Sequence, residues 1–258
     1  MKIKEVLLNN EGILNIFYTA GYPQLKSTVQ IAQILDRAGI KMVEIGMPYS
    51  DPLADGETIQ HSSERALNNG MNMDIMFTQV KEISATTDLA INLMGYFNQL
   101  LTVGVEQFLK SCKESGVSGL IIPDLPMEIY DQEYKNLFEE NEIAISFLIT
   151  PGTSLERVKL ADQLSTGFLY LVADNSITGS ATGTFSDAQI AYFERIRNCE
   201  LKSPALIGFG IKTENQYQLT RKYANGAIIG SEFIRKLSAS DIVNEENLKT
   251  FIKSIVNN

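Results

Sequence analysis

Glu44 and Asp55 bracket the segment EIGMPYSDPLADG, residues 44–56, where an apolar run gives way to a loop holding two prolines. Two carboxyls can divide acid–base work when their surroundings differ. A desolvated one keeps its proton near neutral pH, while a hydrogen-bonded or solvated one stays ionised. Glu44 lies between Val43 and Ile45, so on a strand it points either into a barrel or toward a helix layer. Both places are poorly solvated, and either raises a carboxyl pKa toward the range useful for general acid–base catalysis. The competing reading is a Glu paired with a buried Arg or capping a neighbouring loop. Asp55 precedes Gly56, and Asp-Gly is a common turn, so Asp55 reads as a turn residue as readily as a reactive one.

Two glycine-bearing stretches have the composition of phosphate cradles. Gly208-Phe209-Gly210 closes one apolar run, and Gly230-Ser231 closes the next, ahead of a short helix expected over Glu232–Lys236. Backbone N–H groups and a helix N-terminus at adjacent strand ends form an anion site without any basic side chain. TGSATG, 178–183, reads as a mobile lid or as a long surface loop. The single histidine, His61, sits at an expected helix start and gives no support to a His-based triad. Cys112 and Cys199 lack CxxC spacing, so neither a disulfide framework nor a metal site is expected, and Cys112 falls on an apolar helical face. Met71, Met73 and Met76 read as packing residues. Walker A and GxGxxG patterns are absent.

The elements that must position these residues repeat along the chain. Apolar, β-rich runs occur at 13–21, 42–48, 89–97, 119–126, 144–152, 167–174, 204–211 and 226–233. Near-continuous apolar strands are expected where both faces of a parallel sheet are covered. Between them lie amphipathic stripes such as Val105, Phe108, Leu109 and Cys112. Glycines at AGI (38–40), SGV (115–117) and NGA (225–227) read as helix ends leading into strands. Eight βα units without a linker fit a (β/α)₈ TIM barrel, a single domain over 1–258, better than an open doubly wound sheet with its Gly-rich first turn. An extra N-terminal helix, Ile3–Leu8, is placed to plug the barrel floor.

Hydrophobic residues make up 44% of the chain and charged residues 21%, as in globular proteins with a sizeable core. No apolar run approaches the roughly 20 residues of a membrane span, and the N-terminus does not read as a signal peptide, so a cytoplasmic location is expected. The net charge of −9 and the lack of a basic stripe argue against nucleic-acid binding. An anionic small molecule remains a suitable substrate, since a site made of backbone N–H groups does not depend on net charge.

EIGMPYSDPLADGETIQ with RALNNG at 65–70 resembles the signature segment of the tryptophan synthase alpha subunit. The resemblance continues through FYTAGYP, MGYFN (94–98), GLIIPDLP, TPGTS (150–154), ITG (177–179), GFGI and IIGS. It implies a barrel lyase that cleaves indole-3-glycerol phosphate to indole and glyceraldehyde 3-phosphate. Glu44 would be the acid/base and Asp55 the partner of the indole nitrogen. Phosphate would rest on Gly179, Gly210, Gly230 and Ser231; Tyr96 and Ile59 would line the indole pocket, and Thr178 would close over Asp55. No metal or organic cofactor is implied in this subunit, pyridoxal phosphate belonging to a partner beta subunit in an alpha2beta2 assembly. That partner would dock on loops Tyr49–Pro52, Phe97–Asn98 and Leu125–Pro126. One departure stands out: Ala173, Asp174 and Ser176 replace the serine, basic residue and glycine usual before ITG. A stand-alone indole-releasing lyase and a non-catalytic activator of the beta subunit are the alternatives.

Overall fold

The computed structural model describes residues 2–52, 55–173, 184–238 and 242–256. Eight parallel strands close into a barrel: β1 (Ile13–Thr19), β2 (Met42–Gly46), β3 (Ala90–Met94), β4 (Gly119–Ile121), β5 (Ala144–Ile149), β6 (Leu169–Val172), β7 (Ala205–Gly208) and β8 (Gly226–Ile229). Each strand pairs with the next, and β8 pairs with β1 through Ile13 opposite Gly226. The runs seen in the sequence and these strands coincide. Helices follow the strands around the outside; those that bear on the site are named as they arise.

Residue parity fixes what faces the lumen. In β2, Met42 packs with the inner cluster, whereas Val43 and Ile45 pack in the outer one against the helices. Glu44 therefore points inward. The same alternation turns Asn15 of β1 and Asn92 of β3 inward, since Ile13 and Ala90 are inner while Leu14, Ile16, Ile91 and Leu93 are outer. Below this polar layer the lumen is apolar. Ile13, Met42, Ala90, Ala144, Phe168 and Leu206 cluster with Ile3 and Leu7 of the first helix, α1 (Lys2–Asn9). That helix plugs the floor, as its position before β1 suggested.

The outer helices form where the stripes lie. In α2 (Ser27–Arg37), Ile31 and Leu35 are fully buried. After α3 (Glu57–Asn68), α4 (Met73–Thr86) and α5 (Phe97–Val103) comes α6 (Val105–Ser115), which buries Val105, Phe108, Leu109 and Cys112. Gly39 and Gly116 follow α2 and α6 at φ of +87° and +81°, the left-handed region that ends helices.

The junction at 225–227 works differently. The preceding helix (Glu214–Tyr223) ends in an extended Ala224, and Gly226 is already the first residue of β8. Its glycine serves close approach: a Cβ there would land on the backbone carbonyl oxygen of Ile13 across the closing seam. Backbone cannot swing aside as a side chain can, so Gly226→Ala is expected to cost at least about 2 kcal/mol. A fall in the urea midpoint with unchanged slope measures this; a midpoint equal to wild type would mean the seam has slack.

Candidate active site

A cavity of about 390 Å³ opens at the C-terminal ends of the strands, where chemistry sits in barrels of this kind. Glu44, Asp55, Ile59, Gly210, Gly230 and Ser231 all line it.

Glu44 lies on the cavity floor and is fully buried. Asn15 Nδ2 donates to its Oε2 at 3.1 Å, and its Oε1 has no hydrogen-bond partner within the protein. Burial pushes the carboxyl up to about 8, with the Asn15 hydrogen bond pulling it down and the negative charge of Asp55 adding to the rise. A carboxyl in this position holds its proton at neutral pH and can give it up within the working range. No buried Arg pairs with it among its hydrogen bonds, and it caps no loop.

Asp55 is half-buried at the approach to α3, which begins at Glu57 behind an extended Gly56. Its backbone N–H donates to the Pro52 carbonyl at 3.1 Å, so it does belong to a turn. Its side chain does something further. Tyr96 Oη donates to Asp55 Oδ2 at 3.0 Å, and the Tyr96 ring stacks on Tyr49 with centroids 5.2 Å apart. Burial raises the Asp55 carboxyl above its ordinary value, and the tyrosine hydroxyl opposes that rise by stabilising the charged form. Tyr96 is thus joined to the cavity through Asp55 rather than as a lining residue. It is itself fixed by its N–H donating to Gln99 Oε1 at 2.9 Å.

Above the carboxyls the walls are apolar and aromatic: Phe17, Met94, Tyr170, Phe209 and Ile228 join Ile59. The Tyr170 and Phe209 rings meet edge to face at 5.7 Å. The Tyr170 hydroxyl is held far toward its neutral form by burial and by the nearby carboxylates of Glu44 and Asp55. A flat apolar ring fits such walls.

The opposite side is a backbone cradle. Phe209 and Gly210, both at the cavity wall, have φ of +65° and +80°, a left-handed turn that leaves glycine-lined backbone facing the cavity. Gly230 leads into an inward helix, Ser231–Ser238, whose first-turn N–H groups have no acceptor within the helix. This helix begins one residue earlier and runs further than the Glu232–Lys236 expected. Lys212 and Arg235 add positive charge at the rim, Arg235 being bound to Glu232 at 2.7 Å. Thr178, Gly179, Asp174 and Ser176 lie outside the described residues. Sequence reasoning had not singled out Phe17, Tyr170, Lys212 or Arg235; only Arg235 carried a signal, standing one helical turn after Ser231.

The family model described as tryptophan synthase alpha chain matches residues 3–257. The chain belongs to the tryptophan synthase alpha chain family. It is 47% identical over 254 residues to the tryptophan synthase alpha chain of Flavobacterium psychrophilum, covering 98% of this chain and 99% of that one. To that of Flavobacterium johnsoniae it is 50% identical, covering 93% and 94%. Among solved structures, the Pyrococcus furiosus tryptophan synthase complex superposes with a TM-score of 0.86 at 32% identity over 96% of this chain and 99% of that one. The aminoacrylate-bound Mycobacterium tuberculosis tryptophan synthase gives 0.84 at 26% identity over 98% and 95%. Membership gives the chain its reaction. As an alpha subunit it cleaves indole-3-glycerol phosphate to indole and glyceraldehyde 3-phosphate, a lyase step of tryptophan biosynthesis.

Among the described residues no group of three His, Cys, Asp or Glu is arranged to hold a metal ion, and no helix is long and apolar enough to cross a membrane.

Proposed function

We propose that Glu44 is both acid and base in this cleavage, and that Asp55 is the partner of the indole nitrogen. The observation that carries the reading is one fully buried carboxyl with a single oxygen engaged, facing a cavity that it shares with a second, tyrosine-supported carboxyl. Protonated Glu44 delivers its proton to indole C3. The ring nitrogen gains positive charge as this happens, and ionised Asp55 accepts the N–H hydrogen bond and offsets it. Glu44, now a carboxylate, takes the proton of the side-chain hydroxyl. The C3–carbon bond breaks, its electron pair returns to the ring, and the carbinol carbon leaves as the aldehyde. Glu44 ends protonated, ready for the next turnover. The phosphate rests on the N–H groups of Gly210, Gly230 and Ser231; Gly179 and Thr178, which the family resemblance assigns to the phosphate and to Asp55, lie outside the described residues. Ile59 packs on the indole ring, and Tyr96 keeps Asp55 charged.

The partner in this reading is a beta subunit carrying pyridoxal phosphate, in an alpha2beta2 assembly in the cytoplasm. It docks on the strand C-terminal face. Support comes from the loops after β2, β3 and β4, which are knitted together there: Asn98 Nδ2 donates to Tyr49 Oη at 3.0 Å and the Phe97 N–H donates to Asp124 Oδ1 at 2.8 Å. Leu101 and Val103 of α5 are 50% and 38% exposed beside them, an apolar surface that a partner would cover. Docking favours the arrangement that holds Asp55 against the cavity, a shift of population rather than a supply of new groups.

The isolated chain is therefore expected to be a weak lyase whose turnover rises at least about tenfold with a beta subunit, roughly 1.4 kcal/mol of barrier. Leu101→Asp should abolish the rise and leave the basal rate alone. A free chain already fast, and indifferent to a matched beta subunit, would make it a stand-alone indole-releasing lyase.

A further inference from the structure

Two buried amides flank Glu44 in the lumen. Asn15, Glu44 and Asn92 are all fully buried. Asn15 holds Glu44 Oε2 through its Nδ2, and its own Oδ1 has no partner within the protein. Asn92 is the register partner of Glu44 on β3, and neither its Oδ1 nor its Nδ2 has a partner within the protein. Neighbouring strands lie about 4.8 Å apart, so the Asn92 side chain stands beside that of Glu44.

The next strand makes room for this amide. Gly119 of β4 is the register partner of Asn92, and a Cβ there would come within 2.7 Å of Asn92 Oδ1. An apolar cluster fills the lumen toward the first helix, so packing alone would be met by leucines. Burying amides whose hydrogen bonds are incomplete opposes folding. A role connected with Glu44 accounts for them.

We propose that Asn15 and Asn92 are positioning residues for Glu44, a pair of amides that steadies its carboxyl in both of the protonation states through which catalysis takes it. The inference rests on the reading of Glu44 as acid and base. An amide offers N–H donors to a carboxylate and a carbonyl acceptor to a carboxylic acid. A lysine or arginine would trap Glu44 ionised, and a leucine would trap it protonated. With Asn15 gripping Oε2, Oε1 is left to the substrate.

Other charged groups at Glu44 are few. Asp55 from the loop after β2 and Tyr170 from β6 act on it electrostatically. Glu57, Lys212, Glu232 and Arg235 line the outer cavity. Tyr18 of β1 is turned outward, donating to the Thr28 carbonyl.

The test is the pH profile of kcat for the full chain and its Asn15→Leu, Asn92→Leu and Asn15→Thr variants. Losing a hydrogen bond to a charged group should move the alkaline limb, where Glu44 ionises, upward by about one pH unit in Asn15→Leu. kcat at pH 7 should fall at least about tenfold while KM stays within about twofold. Asn92→Leu should act in the same direction, and Asn15→Thr, which keeps a donor and an acceptor, should recover part of the loss. An unmoved limb in both leucine variants overturns the proposal. Should either leucine variant fail to fold, Asn15→Ala and Asn92→Ala take their place: an unmoved limb in both overturns the proposal, and an upward shift supports it. Glu44→Gln, assayed in parallel, separates the two ideas. If it is inactive while the amide variants are silent, only the positioning role falls; if it is fully active, the reading of Glu44 falls.

Discussion

Glu44→Gln is expected to lose cleavage of indole-3-glycerol phosphate by at least about 10²-fold and to gain stability at alkaline pH. The loss follows from removing the group through which both protons of the reaction pass while keeping size and polarity; general acid–base groups contribute about 10²–10⁴-fold. The gain follows from linkage. Glu44 ionises near 8 when folded, against an ordinary value of 4.5. Between those values the folded chain holds the proton that the unfolded chain has released, so stability falls as pH rises through the window. Above about 8 the full cost of an ionised buried carboxyl is present; below about 4.5 none of it is. The glutamine variant carries no such cost and should exceed wild type by on the order of 5 kcal/mol above pH 8, the two converging in acid. Thermal unfolding at pH 5 and pH 9, with turnover at pH 7, measures both parts. Near-normal turnover would sink the catalytic role, and a wild-type-like pH dependence of stability would show that Glu44 is ionised at low cost.

Asp55→Asn is the second large effect. Asparagine is as good a turn residue as aspartate, so the backbone bond from residue 55 to the Pro52 carbonyl should survive and the fold should be unchanged. What disappears is a negative charge facing the cavity. If that charge stabilises the indole nitrogen as C3 is protonated, kcat should fall by about 10²–10³-fold, the scale seen when one preorganised electrostatic contact to a transition state is removed. A smaller change should accompany it. The charge of Asp55 helps hold the proton on Glu44, so the alkaline limb of the kcat profile should move to lower pH. Wild-type turnover with unchanged circular dichroism would reduce Asp55 to a turn residue.

The strands were legible because their burial on both faces leaves continuous apolar runs. That same continuity hid the direction of Glu44. With Val43, Ile45 and Met42 all apolar, the sequence carries no period-two signal, and inward parity emerges only when β2 is paired on both sides. The lumen-facing amides were missed for a related reason: Asn15 and Asn92 each read as one polar residue within an apolar run. The Phe17 and Tyr170 walls were missed because aromatics are ordinary in strands. At Gly226 the sequence signal was sound and its cause misassigned. Glycine before a strand can end a helix through its φ or admit another backbone through its missing side chain, and only the β8–β1 seam distinguishes the two. Asp55 is a turn residue by its backbone, and its side chain is a tyrosine-supported carboxyl at the cavity, which the turn reading alone does not explain.

The division of labour between the two carboxyls is tested most directly by titrating them in the full chain. Carboxyl ¹³C resonances, assigned with the Glu44→Gln and Asp55→Asn variants, report each ionisation separately. Glu44 is predicted to keep its proton through pH 7 and to ionise near 8, after Asp55 has already become a carboxylate. A Glu44 resonance that titrates with the surface carboxyls and is fully ionised by pH 6 would contradict the account.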